Sequence, residues 1–239
     1  MNRTTERAPT PDAGKGGLTR VFTAAIATAV VLTVLAVTIR SQEPIGAGIY
    51  YDDGAYLALA RSMAAGDGYT YSNLPGEVPG VKYPPAYPAV MALTWKAFGL
   101  YPENLTALKA LNALFWSLAA GGTFLLFARG NRRRVAAVGL ITAYAFLTVP
   151  SMSVATVLLS EPLFLLACVA ALLLAAADPA RGRPSSASPD STGPWPGGEL
   201  GWAAAAALAG AAAFLTRSIG LTLIVALVLP LLLRRRWQA

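Results

Sequence analysis

From Val21 to Ile39 the chain runs for nineteen residues without a charged side chain, and an arginine, Arg20 or Arg40, closes each end. As an α-helix this run is about 28 Å long at 1.5 Å per residue, close to the thickness of a bilayer's hydrocarbon core. Lipid offers no partner to a free backbone N–H or C=O, so a segment of this kind crosses as a helix or not at all. The rest of the chain has the same character. Of its 239 residues 55% are hydrophobic and 13% charged, where soluble domains carry about a quarter charged residues. The mean hydropathy is +0.52. A secretory leader has a shorter apolar core and a small-residue cleavage site. The run ends instead at Arg40 and is expected to be a retained first span.

Further apolar runs cover Leu105–Ala128, Val135–Val149, Pro162–Ala177, Trp202–Thr216 and Ile219–Leu233. Several are shorter than the usual span of about 20 residues, so their ends are expected to extend into neighbouring turns. Arg217 interrupts the last two, and the cost of an arginine at mid-depth favours a turn there over one long helix. The basic residues test the count. Lys15 and Arg20, the cluster Arg129, Arg132, Arg133 and Arg134, then Arg181 and Arg183, and finally Arg234, Arg235 and Arg236 all fall on one side if there are six spans. Positive charge marks the cytoplasmic side. The amino terminus is therefore expected inside, in a bacterial inner membrane, and the net charge of +7 reads as topology, with no nucleic-acid partner.

The expected organisation is a tail over 1–20, the first span over 21–40, an outer loop over 41–103 and spans two to four over 104–177. A Pro/Ser/Gly-rich inner loop over 178–200, read as disordered, precedes spans five and six over 201–233 and an inner end over 234–239. The outer loop is patterned. Tyr56, Leu59, Ala60 and Met63 recur at helical spacing up to Gly66, and a second helix is expected from near Pro88 to Gly99. Both are too short to span, and the belt of Tyr83, Tyr87, Trp95 and Tyr101 suggests that they lie in the interface plane. The fold class is thus an all-α integral membrane protein with about six transmembrane helices and two interfacial ones.

With no histidine in the chain, acid–base work falls to carboxylates, lysine or tyrosine. A single cysteine, Cys168, rules out a disulfide framework within the chain. Asp52 and Asp53 open the first interfacial helix. Aspartate is a favoured N-cap and suits the helix dipole, which accounts for one acid better than for two; a pair beside a membrane also suits a general base or a hard-cation ligand. The two readings stand level. Lys82 precedes a proline-rich corner, VKYPPAYP, where a fixed cation suits a phosphate. Glu161 opens the fourth span and Arg217 lies in the turn between the fifth and sixth; the simple alternative for each is a capping or snorkelling charge. All four features fall on the same expected face.

Asp52-Asp53-Gly54-Ala55-Tyr56, the following LALARSMAAGDGY, and KYPPAYPAVMAL resemble the first outer loop of GT-C glycosyltransferases. The likeness is nearest to the branch of protein O-mannosyltransferases, the lipid A aminoarabinose transferase and rhizobial lipopolysaccharide galacturonosyltransferases. Ser160-Glu161-Pro162-Leu163-Phe164 and Leu215-Thr216-Arg217-Ser218-Ile219-Gly220-Leu221 resemble that family's later acidic and basic turns. The resemblance covers the amino-terminal half of such an enzyme, and the chain is accordingly expected to be a truncated, fragmentary or minimal form. It implies an inverting transfer of a sugar from a polyprenyl phosphate to an acceptor glycan, lipid or protein at the outer face. Asp52 would be the base and Asp53 its helper, cap or cation ligand. Tyr56, Lys82, Tyr83, Glu161 and Arg217 would bind substrate. No cofactor is required, though a divalent cation on Asp53 and Glu161 is a further candidate. The rival reading is a non-catalytic scaffold or partner subunit derived from such an enzyme. A small transporter would want ionisable groups at mid-depth, which no span carries.

Overall fold

The computed structural model describes residues 13–42, 47–48, 50–76, 78–176 and 197–236, and they are mostly helical. Helix α1 spans Ala13–Arg40, so it takes in Lys15 and Arg20, which the sequence placed in a tail. Helix α4 is Leu105–Phe127 and α5 is Arg132–Leu147. The short α6, Val149–Ala155, follows α5 at an angle of 66°. Helix α7 covers Glu161–Ala176, α8 covers Gly197–Thr216 and α9 covers Leu221–Arg236. Among the described residues, two helices are long and apolar enough to cross a membrane, Gly17–Arg40 and Leu105–Phe127, and a third crossing is available if α5 and α6 act as one bent span. Most of the expected 178–200 loop lies outside the described residues, as do 1–12 of the tail and 237–239 of the inner end.

Helix α4 is central: it packs on α1 and on α7, while α5 lies against α1 and α8 against α7. Small residues permit the close approaches. A Cβ on Gly121 would run into Val31 Cγ2 of α1, and one on Gly139 would sit 2.6 Å from Ile26 Cγ2. Val30, Val34, Trp116, Ala119, Ala120, Phe146 and Ala155 fill the resulting core.

The break after α5 has a physical reason, and Pro150, which closes the third apolar run in the sequence, is part of it. Pro150 stands in the first turn of α6, where its missing N–H costs nothing. The Trp116 indole N–H donates to the freed Phe146 carbonyl at 3.1 Å. Beyond α6 the chain is irregular from residue 156 to 160, and non-helical backbone among apolar helices needs partners of its own. Asn112 of α4 supplies them. Its side-chain amide donates to the carbonyls of Val157 at 2.6 Å and Leu159 at 3.1 Å, while its oxygen accepts from the Tyr87 hydroxyl at 3.0 Å.

Residues 50–103 form a cap on the end of the bundle where α7 begins. Helix α2, Asp52–Ala65, and α3, Ala86–Phe98, pack against each other, joined through an antiparallel pair of two-residue strands, β1, Thr70–Tyr71, and β2, Val78–Pro79. Tyr56, Ala60, Tyr87, Met91 and Trp95 pack with Leu108 of α4 and Leu158 before α7. That core fastens the cap to the bundle.

Candidate functional site

The start of α2 differs from simple capping. Neither aspartate is the N-cap; Tyr51 holds that position, with φ 57° and ψ −55°. The Asp52 N–H donates to the Tyr50 carbonyl at 2.5 Å, closing a γ-turn of the rare positive-φ kind. Such a conformation costs a residue with a side chain about 1–3 kcal/mol and persists only where neighbouring bonds enforce it. Asp53 enforces it. Its carboxylate, 2% exposed, accepts from the N–H groups of Gly48 at 2.8 Å, Tyr50 at 3.1 Å and Gly54 at 2.8 Å. Asp53 is therefore the architectural member of the pair.

Asp52 is the half-exposed member. Its Oδ1 accepts a short hydrogen bond from the Tyr83 hydroxyl, and among the described residues no protein donor reaches Oδ2. Burial, then this bond and the nearby negative charge, push the Tyr83 hydroxyl above its ordinary range, so it remains a donor. The Tyr83 carbonyl in turn accepts from the Tyr69 hydroxyl at 2.7 Å, which locks the corner that carries it. Burial raises the Tyr69 hydroxyl as well.

Lys82 extends over the same patch. Its ammonium lies 4.7 Å from the centre of the Tyr51 ring and 4.8 Å from that of Tyr83, within range of cation–π attraction to both. The unusual backbone of Tyr51 has a consequence here: it throws the ring outward, 74% exposed, to form one side of this clamp. The ammonium also acts on Tyr71, partly offsetting the upward push that burial gives that hydroxyl.

Tyr56 joins this patch to α7. It is 4% exposed, its ring packs on Tyr83 at 4.8 Å and on Tyr87 at 4.9 Å, and its hydroxyl lies 3.0 Å from Ser160 Oγ. Burial raises its pKa against the opposing pull of Ser160 and Arg217. A ring enclosed in this way orients its neighbours and offers little face to a ligand. Glu161, next to Ser160, forms an ion pair through Oε1 with Arg217 Nη1, both side chains being a little over one third exposed. Glu161 Oε2 is buried without a hydrogen-bond partner. Arg217 has extended backbone between the end of α8 and a single 3-10 turn, Ser218–Gly220, that leads into α9.

No family model, curated protein or solved structure matches the chain. The site therefore rests on its own geometry. One continuous set of contacts runs from Lys82 through Tyr83, Asp52 and Tyr56 to Ser160, Glu161 and Arg217. These residues come from three distant parts of the chain. Sequence reasoning missed Tyr51 and Ser160 as members, although each adjoins a residue it chose. A preformed cation site fits the donors poorly. Asp53 is committed to three amides and Glu161 to an arginine, and among the described residues no three acidic, cysteine or histidine side chains gather in a metal-binding group.

Proposed function

We infer that the chain binds a polyprenyl-phosphate-linked sugar and takes part in transfer of the sugar to an acceptor hydroxyl. It would be a member of the GT-C group, with six spans and the Asp52 patch at the outer face of a bacterial inner membrane. The observation that carries the reading is one half-exposed carboxylate, Asp52, linked through Tyr83 to Lys82 and through Tyr83, Tyr56 and Ser160 to the Glu161–Arg217 pair, at the end of an apolar bundle. In the reaction the acceptor oxygen attacks the anomeric carbon and its proton passes to Asp52 Oδ2. The bond from that carbon to the phosphate oxygen breaks, leaving its electron pair on the phosphate. Tyr83, held protonated, fixes the Asp52 rotamer. Lys82 and Arg217 stabilise the departing phosphate, and Glu161 Oε2 accepts a hydrogen bond from a sugar or acceptor hydroxyl. A phosphate leaves readily without a second acid, unlike the alkoxide of glycoside hydrolysis.

Binding of a polyprenyl phosphate by the full chain in detergent tests this directly. A charge-assisted contact is worth roughly 1.5–3 kcal/mol, so Lys82→Ala or Arg217→Ala should each weaken binding about tenfold to hundredfold. Asp52→Asn should leave binding intact and abolish any transfer measured. Unchanged affinity in both cation variants would remove the phosphate site and favour the rival scaffold reading.

A further inference from the structure

At the opposite end of α1 and α4 from the Asp52 patch lies an open recess of about 690 Å³. Arg20, Thr23 and Ala24 of α1, Leu125 of α4, and Gly130 and Val135 around the start of α5 line it. We propose that this recess binds the head group of an anionic phospholipid, with the phosphate held by arginines and the glycerol and upper acyl chains on the apolar wall.

One arginine lines the recess, and two more stand against Phe22 and Gly130, next to or within its lining. Arg20 lines the recess directly. Arg132 reaches across to α1, its guanidinium carbon 5.8 Å from the centre of the Phe22 ring. Arg134 lies along Gly130, where an added Cβ would be 3.2 Å from its Cδ and 4.0 Å from its Nη1. Arg129 and Arg133 add charge nearby, and α1, α4, α5 and the intervening link 128–131 contain no aspartate or glutamate. Arg132, Arg133 and Arg134 also occupy the first turn of α5, the positive end of its dipole, where cations are unfavourable and an anion is stabilised. The opposing partial charge comes from the last carbonyls of α4, and it is far smaller than three whole charges.

The lining is graded in a way that selects a lipid over a free phosphate. Arg20 and the arginines of the 129–134 segment flank the apolar runs, whereas Ala24, Leu125 and Val135 belong to them. The recess therefore sits where those runs end, at the depth of lipid head groups. Basic pockets between transmembrane helices suit this chemistry, and arginine matches two phosphate oxygens at once. The inference is independent of sugar transfer and depends only on the chain residing in a membrane.

The test uses the full chain purified in a neutral detergent and titrated with dioleoyl phosphatidylglycerol, dioleoyl phosphatidylcholine or inorganic phosphate. Phosphatidylglycerol should bind saturably, phosphatidylcholine much more weakly, and inorganic phosphate should not compete at millimolar concentration. Arg20→Gln and Arg134→Gln should each weaken phosphatidylglycerol binding about tenfold or more. Arg40→Gln, at the far end of the same helix, should leave it unchanged. Equal binding of the two lipids, competition by inorganic phosphate, or an equal loss in Arg40→Gln would overturn the assignment. Should the variants fail to fold, wild-type protein photo-crosslinked to a head-group-labelled phosphatidylglycerol decides. Crosslinks should concentrate in residues 19–24 and 125–135, and an even spread around the bundle would refute the site.

Discussion

Replacing Asn112 with leucine should destabilise the protein more than any single change in the exposed site. Asn112 is 1% exposed and makes three hydrogen bonds: two donated to the Val157 and Leu159 carbonyls and one accepted from Tyr87. Leucine preserves volume, so the cavity term is small and the loss is polar. Interhelical side-chain bonds in membranes average about 0.6 kcal/mol, which puts a floor near 2 kcal/mol for three. Here both carbonyls belong to backbone that is not helical; Val157 keeps a bond from the Leu159 N–H at 3.0 Å, so leucine strands the Leu159 carbonyl, and a stranded buried group costs about 1–3 kcal/mol. A total of about 2–4 kcal/mol follows. That is roughly a 30-fold to 700-fold change in the unfolding equilibrium. Tyr87→Phe removes only the third bond and should cost about 1 kcal/mol. Equilibrium unfolding in mixed micelles, followed by helical circular dichroism, measures both. In the double variant the Tyr87 effect should largely vanish, because its partner is already gone. A loss below about 0.5 kcal/mol in Asn112→Leu, or strict additivity in the double variant, would show that water or neighbouring side chains satisfy the 157–159 backbone and that Asn112 is not its support.

Two further outcomes are expected. Gly220→Ala should disturb the turn that carries Arg217, since its Cβ would lie 2.6 Å from the Ala213 carbonyl carbon and the Phe214 nitrogen, backbone that cannot yield by a rotamer change; loss of phosphate binding with little loss of helicity is the expected signature, and wild-type binding would show that the turn relaxes freely. For the proposed six-span topology, single cysteines at Ser72 and Ser188 in a Cys168→Ala background should react from opposite sides of intact cells, and labelling of both from one side would exclude that count.

The helices were legible because their signals are local. Arginines bracket the apolar run of α1, Gly66 ends α2 in the left-handed conformation, and Arg217 breaks a run that could not hold it at mid-depth. The residues chosen for the site were legible as types, and the cap and turns do bring Asp52, Tyr83, Glu161 and Arg217 into one connected set. Their division of labour was not. Whether Asp52 or Asp53 faces outward depends on which carboxylate captures the amides of Gly48, Tyr50 and Gly54, a property of the folded loop. Asn112 reads in sequence as a lone polar residue in an apolar helix, and its role appears only with the broken backbone beside it. The β1–β2 hairpin has strands of two residues, too short for any alternation to register.

The ion pair between Glu161 and Arg217 does not occupy the arginine at the expense of a phosphate in the proposed transfer. A sugar on a polyprenyl phosphate is a phosphodiester with one negative charge, and the departing phosphate monoester approaches two. Charge on the phosphate therefore grows as the anomeric bond breaks. A pair whose side chains are a little over one third exposed is worth about 1 kcal/mol or less after solvent screening, so a phosphate can share or displace it at small cost. Arg217 has five N–H donors, and Glu161 needs only part of them. In the proposed reaction the ground state would keep the arginine oriented by Glu161, and its remaining donors would bind more strongly as charge accumulates on the leaving group. An interaction that strengthens along the reaction coordinate raises the rate of the chemical step rather than merely tightening substrate binding. Glu161→Gln provides the separating observation: it should leave polyprenyl-phosphate affinity equal or higher, by releasing the arginine, while lowering the rate of transfer by loosening its aim. A fall in affinity instead would mean that the carboxylate is needed to build the phosphate site, and that the pair is part of the binding surface before any bond has begun to break.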